Sequence, residues 1–149
     1  MNNDPLDAVA LPNIRACRNA IAKYIVQTPV VRWRGEGARA LEAQRIEAWF
    51  KLELFQRTGT FKARGALNNV LHLSDAQRRS GITAVSAGNH AVAAAFAARE
   101  IGTSAKVVMI KTANAARVAR AKEYGAEIVF AEDGPSAFRM VDEISKTEG

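Results

Sequence analysis

The sequence predicts an α/β fold, in which a parallel sheet with helices on both faces is joined to an N-terminal helix and strands. From residue 82 onward, strand patterns alternate with helix patterns, an order typical of a parallel sheet. Residues 46–54 alternate apolar and polar side chains, which indicates a half-buried strand before that sheet. The chain has 149 residues, 48% of them hydrophobic, and is therefore long enough to bury a core.

The first half of the chain predicts five elements in the order helix, strand, helix, strand and helix. The first helix carries an apolar stripe that includes Cys17, and Thr28-Pro29 ends it. Thr60 is a good N-cap residue and is expected to begin the last of the five. These elements are expected near residues 13–27, 30–33, 38–44, 46–54 and 61–71.

The second half predicts three strands and four helices. Ser74 begins a capping box, and the helix that it opens stops at Gly81. The helix Asn89–Ile101 is apolar on nearly all sides, so we expect its neighbours to enclose it, and Gly102 is its expected end. Strands are predicted at residues 82–86, 105–110 and 127–131, and further helices at residues 114–124 and 135–147.

Composition and charge narrow the function. The net charge is +6, but the basic residues are scattered and are not clustered with aromatic ones, so no nucleic-acid interface is predicted. Cys17 is the only cysteine, which rules out an intrachain disulfide, and no metal site is predicted. The N-terminus is polar and acidic, and no apolar run reaches the length of a membrane span. These features predict a cytoplasmic protein that contacts no membrane.

Lys62 occupies an unusual position for a lysine. It lies in the first turn of a predicted helix, beside the ring of Phe61. The partial positive charge of a helix N-terminus and apolar cover both disfavour the ammonium ion, so both lower the pKa of a lysine. An amine with a lowered pKa is a nucleophile that can bond an aldehyde. Position alone favours the simpler interpretation, a solvated surface lysine among 21 Lys and Arg residues.

A second candidate site is the segment from Ser86 to His90, between a predicted buried strand and a helix start. Backbone N–H groups are free at such a place, and the helix dipole favours an anion. Gly88 allows a close approach to the backbone, so a carboxylate or a phosphate is the expected ligand. Asn89 can cap the helix, and a histidine in the position of His90 is often structural.

Two long motifs in the right order carry a family resemblance. Residues 58–66, Thr-Gly-Thr-Phe-Lys-Ala-Arg-Gly-Ala, with Lys51-Leu-Glu53 upstream, closely resemble the pyridoxal-phosphate lysine motif of fold-type II enzymes. That group is the tryptophan synthase β family, and the likeness is nearest to its threonine/serine dehydratase branch. Residues 86–90 resemble the family's second motif, and Thr28-Pro-Val30 resembles a third.

The resemblance implies a function and a set of site residues. Lys62 would hold pyridoxal 5'-phosphate and later remove the substrate's α-proton. The 86–90 loop would hold the substrate carboxylate, Asn89 would bond the ring hydroxyl of the cofactor, and Phe61 would pack beside its ring. The implied enzyme eliminates water and then ammonia from threonine or serine to give a 2-oxo acid. The expected site is Phe61 and Lys62 with Ser86, Ala87, Gly88, Asn89 and His90.

The resemblance also implies a domain organisation. Residues 1–69 would contribute to a large domain and carry the lysine, and residues 70–149 would form a small α/β domain. The family is about twice as long as this chain. The rest of the large domain, a glycine-rich phosphate loop and a partner for the pyridine nitrogen are therefore expected beyond this sequence, in a protein that forms a homodimer at full length.

Ala87 distinguishes two reactions of the family. Racemases of the family place a second acid-base hydroxyl at this position, and alanine cannot exchange a proton, so elimination is favoured over racemisation. Two alternatives remain open. One is another β-elimination or β-replacement enzyme, such as a cysteine-synthase-like protein, and the other is a non-catalytic half-protein. Arg64 is expected to be an ion-pair partner and not a catalyst.

Overall fold

The computed structural model describes residues 9–148, so residues 1–8 and residue 149 of the two predicted domains lie outside the described residues. Between these limits the chain has the predicted α/β fold, with a three-stranded parallel sheet and a separate two-stranded antiparallel sheet. The helices are α1 (Leu11–Ile21), α2 (Glu36–Glu42), α3 (Lys62–Leu71), α4 (Asp75–Ser80), α5 (Asn89–Ile101), α6 (Ala115–Glu123) and α7 (Gly134–Glu148). The strands are β1 (Val30–Arg32), β2 (Trp49–Lys51), β3 (Ile82–Val85), β4 (Ala105–Ile110) and β5 (Glu127–Ala131).

Helices cover both faces of the parallel sheet, whose strand order is β3-β4-β5. Successive side chains of a strand point to opposite faces. Val107 and Met109 of β4 accordingly pack in one core with residues of α5 and α6, whereas Val108 packs in a second core with residues of α7. The predicted layering is confirmed, and α7 lies on the opposite face from α5 and α6.

Helix α5 forms the centre of the molecule. All eight residues from Ala91 to Ala98 are buried, as the sequence predicted. Ala93 and Ala97 share a core with Ala63 and Ala66 of α3, and these small side chains let the two helices approach closely. Gly102 ends α5 with φ 72°, the left-handed conformation that glycine adopts at helix ends.

The N-terminal part is less regular than predicted. The strand expected at residues 46–54 is limited to β2, because its antiparallel partner β1 has only three residues. The chain then makes a 3₁₀ turn at Glu53–Phe55. Phe50 and Leu54 were expected on a half-buried face, but they are 48% and 63% exposed.

The capping box of α4 is confirmed. The Ser74 hydroxyl accepts a hydrogen bond from the N–H of Gln77, and the Gln77 side chain accepts one from the N–H of Ser74. Helix α1 is shorter than predicted, since it gives way to a 3₁₀ turn at Ala22–Tyr24.

The division of the chain at residue 69 remains a prediction, and α3 crosses that residue while packing along α5. No helix between residues 9 and 148 is long and apolar enough to cross a membrane.

Candidate active site

Lys62 is the first residue of α3, as the sequence predicted. Thr60 is not the N-cap residue: Phe61 holds that position, and the Thr60 hydroxyl accepts a hydrogen bond of 3.4 Å from the N–H of Lys62. The Lys62 Nζ lies 5.3 Å from the centroid of the Phe61 ring. Lys62 is exposed and Phe61 is 60% exposed, so the apolar cover expected over the amine is limited to one ring among the described residues.

Lys62 is exposed because α3 buries a different face of the helix. Its buried residues are Ala63, Ala66, Leu67 and Val70, the i, i+3, i+4, i+7 spacing of one helix face. This face packs against α5 and leaves Lys62 outside the core. Apolar cover of the Lys62 amine beyond the Phe61 ring would have to come from groups outside the described residues.

A cluster of three polar side chains, Thr28, Glu53 and Arg64, connects the first turn of α3 to two earlier segments of the chain, and we name it the Glu53 clamp. The Arg64 guanidinium donates to both carboxylate oxygens of Glu53, at 2.9 and 2.7 Å, and the Thr28 hydroxyl donates to the same carboxylate at 2.6 Å. Lys51 Nζ donates to the Thr28 carbonyl at 2.7 Å. The predicted ion-pair role of Arg64 is confirmed. The hydrogen bonds from Arg64 lower the pKa of Glu53 despite its burial, and the carboxylate in turn raises the pKa of Arg64.

The loop between the clamp and Lys62 is fastened on both sides. The Gln56 side chain accepts from the N–H of Val26 at 2.8 Å and donates to the carbonyl of Val26 at 2.9 Å. The carbonyl of Arg57 accepts from the Arg120 guanidinium at 3.0 Å and from the Tyr124 hydroxyl at 3.2 Å. The backbone that leads to Lys62 is therefore held from two directions.

The 86–90 loop follows the carboxyl end of β3 and begins α5. Gly88 is the N-cap residue, the Ser86 hydroxyl accepts from its N–H at 3.1 Å, and Asn89 is the first helical residue. The cap expected from Asn89 is therefore not formed, and no side chain of the described residues caps this helix. A Cβ at Gly88 would meet only the Ser86 hydroxyl, at 3.8 Å. The helix start thus presents N–H groups and an open approach, which suits an anion.

His90 connects the loop to the lysine electrostatically. Partial burial lowers the pKa of His90, and the positive charge of Lys62 lowers it further. The two candidate segments, predicted separately from the sequence, are therefore near enough in space to affect each other. The fold packs α3 along α5, with Ala63 and Ala66 of α3 in one core with Ala93 and Ala97 of α5.

These residues fit an aldehyde cofactor with an anionic substrate. The donor set combines an exposed primary amine, an amide side chain at Asn89 and free N–H groups at a helix start. Within residues 9–148, no group of three or more His, Cys, Asp or Glu side chains is placed to hold a metal ion.

The contacts of Glu53 with Thr28 and with Arg64 were not predicted, although all three residues lie in the sequence motifs. Thr28 is 25 residues from Glu53 and Arg64 is 11 residues from it, and no sequence pattern relates residues at these separations.

Comparison with known proteins agrees with this chemistry. Residues 21–149 match the family described as pyridoxal-phosphate dependent enzyme. Phenylserine dehydratase of Ralstonia pickettii is 61% identical over 97% of this chain and 44% of its own length. Serine racemase of Schizosaccharomyces pombe is 35% identical over 96% of this chain and 44% of its own length.

The solved structure of a threonine deaminase from T.th. has a TM-score of 0.76 at 33% identity, covering 93% of this chain and 42% of that one. This chain therefore spans less than half the length of the relatives that it matches. The matched residues include both candidate segments, and from the family match and the 61% identity we conclude that the chain belongs to the family of pyridoxal-phosphate-dependent enzymes.

Proposed function

We propose that this chain is part of a dehydratase that removes water and then ammonia from a 3-hydroxy amino acid to give a 2-oxo acid. The observation that supports the proposal most directly is the pairing of two helix starts. The exposed amine of Lys62 begins α3, and the anion-binding start of α5 lies close enough for Lys62 to affect the pKa of His90.

Each residue then has a definite task. The Lys62 amine would hold the cofactor, and as a free amine it would take the substrate's α-proton. The N–H groups at Asn89 and His90, where the Ser86–Gly88 turn leaves an open approach, would bind the substrate carboxylate and set its orientation. The Asn89 amide and the Phe61 ring would help to hold the cofactor. When bound, pyridoxal phosphate supplies an electron sink for the charge left at the α-carbon.

The proposal also specifies a preferred substrate. Threonine and serine are the substrates predicted from the sequence, and the similarity to a threonine deaminase structure supports them. The 61% identity to a phenylserine dehydratase, against 35% for a serine racemase, favours a 3-hydroxy amino acid with an aryl side chain. We therefore propose phenylserine as the preferred substrate, with threonine and serine as slower ones.

Elimination is proposed over racemisation because of Ala87. A racemase needs a second group that returns a proton to the opposite face of the α-carbon, and the methyl group of Ala87 has no exchangeable proton. The proposed enzyme works in the cytoplasm as a homodimer of longer chains.

Reductive trapping tests the role of Lys62 in this chain. The purified chain is mixed with pyridoxal phosphate and borohydride, and peptide mass spectrometry locates the reduced adduct. We expect Lys62 to be modified in preference to Lys122, an exposed lysine of α6. Lys62→Ala should abolish the preferred modification, whereas Lys122→Ala should leave it intact. Equal modification of all lysines in a folded sample would favour a non-catalytic half-protein.

A chimera tests the reaction. In it, this chain replaces the matching part of the Ralstonia pickettii phenylserine dehydratase. We expect ammonia and a 2-oxo acid from phenylserine faster than from threonine or serine, with no dependence on an added thiol. A product that incorporates the thiol would instead identify a cysteine-synthase-like replacement enzyme, and release of the D-amino acid would identify a racemase.

A further inference from the structure

We propose that Glu53 is a positioning residue for the Lys62 amine, and that it acts through Arg64 and Thr28. This inference deepens the proposed function of Lys62 and rests on it. Three features support it: the segments that the clamp joins, the few other contacts that hold the amine, and the way in which the first turn of α3 transmits the position.

The Glu53 clamp joins three segments that are distant in sequence. Glu53 lies in the 3₁₀ turn after β2, Thr28 precedes β1, and Arg64 lies in the first turn of α3. The Arg64 pair is bidentate, with both carboxylate oxygens engaged, and such a pair fixes an orientation as well as a distance. Thr28 is only 3% exposed. Its hydroxyl therefore cannot replace the hydrogen bond to Glu53 with one to bulk water unless the fold is disturbed.

The amine itself has few other constraints. Among residues 9–148, the one contact recorded for Lys62 Nζ is the face of the Phe61 ring, at 5.3 Å. The place from which the side chain extends is therefore set by the backbone of the first turn. Two residues after Lys62, the Arg64 side chain connects that turn to the clamp.

Helix α3 is held along the other side by its core face. Ala63 and Leu67 are fully buried, and their packing against α5 sets the distance between the helices. Packing through small side chains still allows the N-terminal end of α3 to rotate or slide along α5. The first N–H groups of the helix have no hydrogen-bond partners within the helix, so they do not oppose this movement. The pair between Glu53 and Arg64 opposes that movement and so keeps the amine directed towards the 86–90 loop.

The experiment compares Glu53→Gln with Glu42→Gln in the chimera of this chain with the Ralstonia pickettii phenylserine dehydratase. Glu42 also accepts an Arg hydrogen bond, from Arg32 at 2.9 Å, but it lies on α2 and away from α3. Two quantities are measured: the rate at which borohydride traps pyridoxal phosphate on Lys62 relative to Lys122, and hydrogen exchange in the peptide that covers residues 55–67. Circular dichroism checks that each variant is folded.

We expect Glu53→Gln to lower the relative trapping rate at Lys62 about tenfold, because small displacements of a reacting group have large effects on rate. Exchange in the 55–67 peptide should become faster, and Glu42→Gln should change neither quantity. Thr28→Val, which removes one hydrogen bond from the carboxylate and keeps the shape of the side chain, should lower trapping about threefold. Thr28→Val serves as the test should Glu53→Gln not fold.

The outcomes separate this inference from the proposed function. Unchanged trapping and unchanged exchange in a folded Glu53→Gln variant would overturn the positioning role. If the chimera with Glu53 unchanged shows no preference for Lys62, the proposed function fails, and hydrogen exchange alone then decides whether Glu53 holds the first turn of α3. Equal effects of Glu53→Gln and Glu42→Gln would mean a general loss of stability, and they would also overturn the inference.

Discussion

The fold does not require glycine at position 88, whereas the binding of a ligand at this loop would require it. Its φ is not in the left-handed region, and a Cβ added there would meet only the Ser86 hydroxyl, at 3.8 Å. The folded chain therefore has no steric need for glycine at this position. A substrate carboxylate that approaches the N–H groups of the loop does need the free space.

The first prediction concerns Gly88→Ala. We expect the free energy of unfolding to change by no more than about 0.5 kcal/mol, since nothing in the fold is displaced. In the chimera, the KM for the amino acid substrate should rise about tenfold, because the methyl group occupies the approach to the loop. Chemical denaturation and steady-state kinetics measure the two quantities. An unchanged KM would contradict carboxylate binding at residues 86–90.

The second prediction concerns acid stability. Hydrogen bonds from Arg64 hold the pKa of Glu53 below its usual value of 4.5. A group whose pKa is lower in the folded state contributes stability that is complete above its unfolded pKa and is lost as the pH falls through its folded pKa. The free energy of unfolding should therefore fall as the pH drops from about 5 to about 3, and Glu53→Gln should remove part of this slope. A slope that is unchanged in Glu53→Gln would contradict this prediction.

The sequence predicted the place of Lys62 in its helix better than the surroundings of that residue. Lys62 begins α3 as predicted, because the apolar spacing from Ala63 defines the helix face without help from other segments. The partner of Arg64 could not be predicted, since Glu53 comes from the far side of a turn whose shape no local pattern specifies. The cover expected over the amine is also incomplete, because cover comes from tertiary neighbours and not from the residues beside Lys62 in sequence.

At the scale of elements, the contact between α3 and α5 positions both halves of the site. Ala97 is fully buried in the core that also holds Ala63, Ala66 and Leu67. A larger side chain there would push apart the two helices whose first turns carry Lys62 and the 86–90 loop. The interior is close-packed, so it has no spare volume for such a change.

The third prediction is therefore that Ala97→Leu lowers the free energy of unfolding by about 1–3 kcal/mol through overpacking. Ala119→Leu is the matched control, because Ala119 is an exposed residue of helix α6 and leucine has a similar helix propensity there. Thermal and chemical denaturation measure the difference. Equal stability of the two variants would show that α3 and α5 are not in close contact.

The parallel-sheet elements were predicted closely, and those before them were not. Helix α5 and strands β4 and β5 have the predicted bounds, because glycines at positions 102 and 125 end the helical patterns sharply. Strand β2 is shorter than the pattern at residues 46–54 suggested. The alternation of apolar and polar residues indicates which face of a sheet each side chain suits. The length of a strand depends instead on its hydrogen-bonding partner, and β1 supplies only three residues.

At the scale of the whole molecule, apolar exposure is uneven. Of the fourteen large hydrophobic residues that are exposed among those described, twelve lie between residues 9 and 61 and two lie on the parallel-sheet part. The exposed set includes aromatic residues on β2 and in the turn that follows it, such as Trp49 and Phe55. A soluble domain rarely leaves such a surface uncovered.

The fourth prediction follows: the 149-residue chain on its own should self-associate. Burial of the exposed apolar residues drives the association, so raised salt should not reverse it. Replacing Trp49 and Leu54, which are 56% and 63% exposed, by lysine should shift the chain towards monomer without lowering its melting temperature. Sedimentation velocity measures the association. A wild-type chain that stays monomeric at high concentration would contradict the prediction.

The side of the sheet on which α7 lies has a topological consequence. Crossovers between parallel strands are right-handed, so the face that a helix covers sets the direction in which the next strand is added. Helices α5 and α6 cover one face while the strand order advances from β3 to β5, and α7 covers the other. A parallel strand connected after α7 would therefore reverse that direction and join the free edge of β3. Further strands of this sheet would therefore be added beside β3 and the 86–90 loop that follows it, and not at the opposite edge, which is formed by β5.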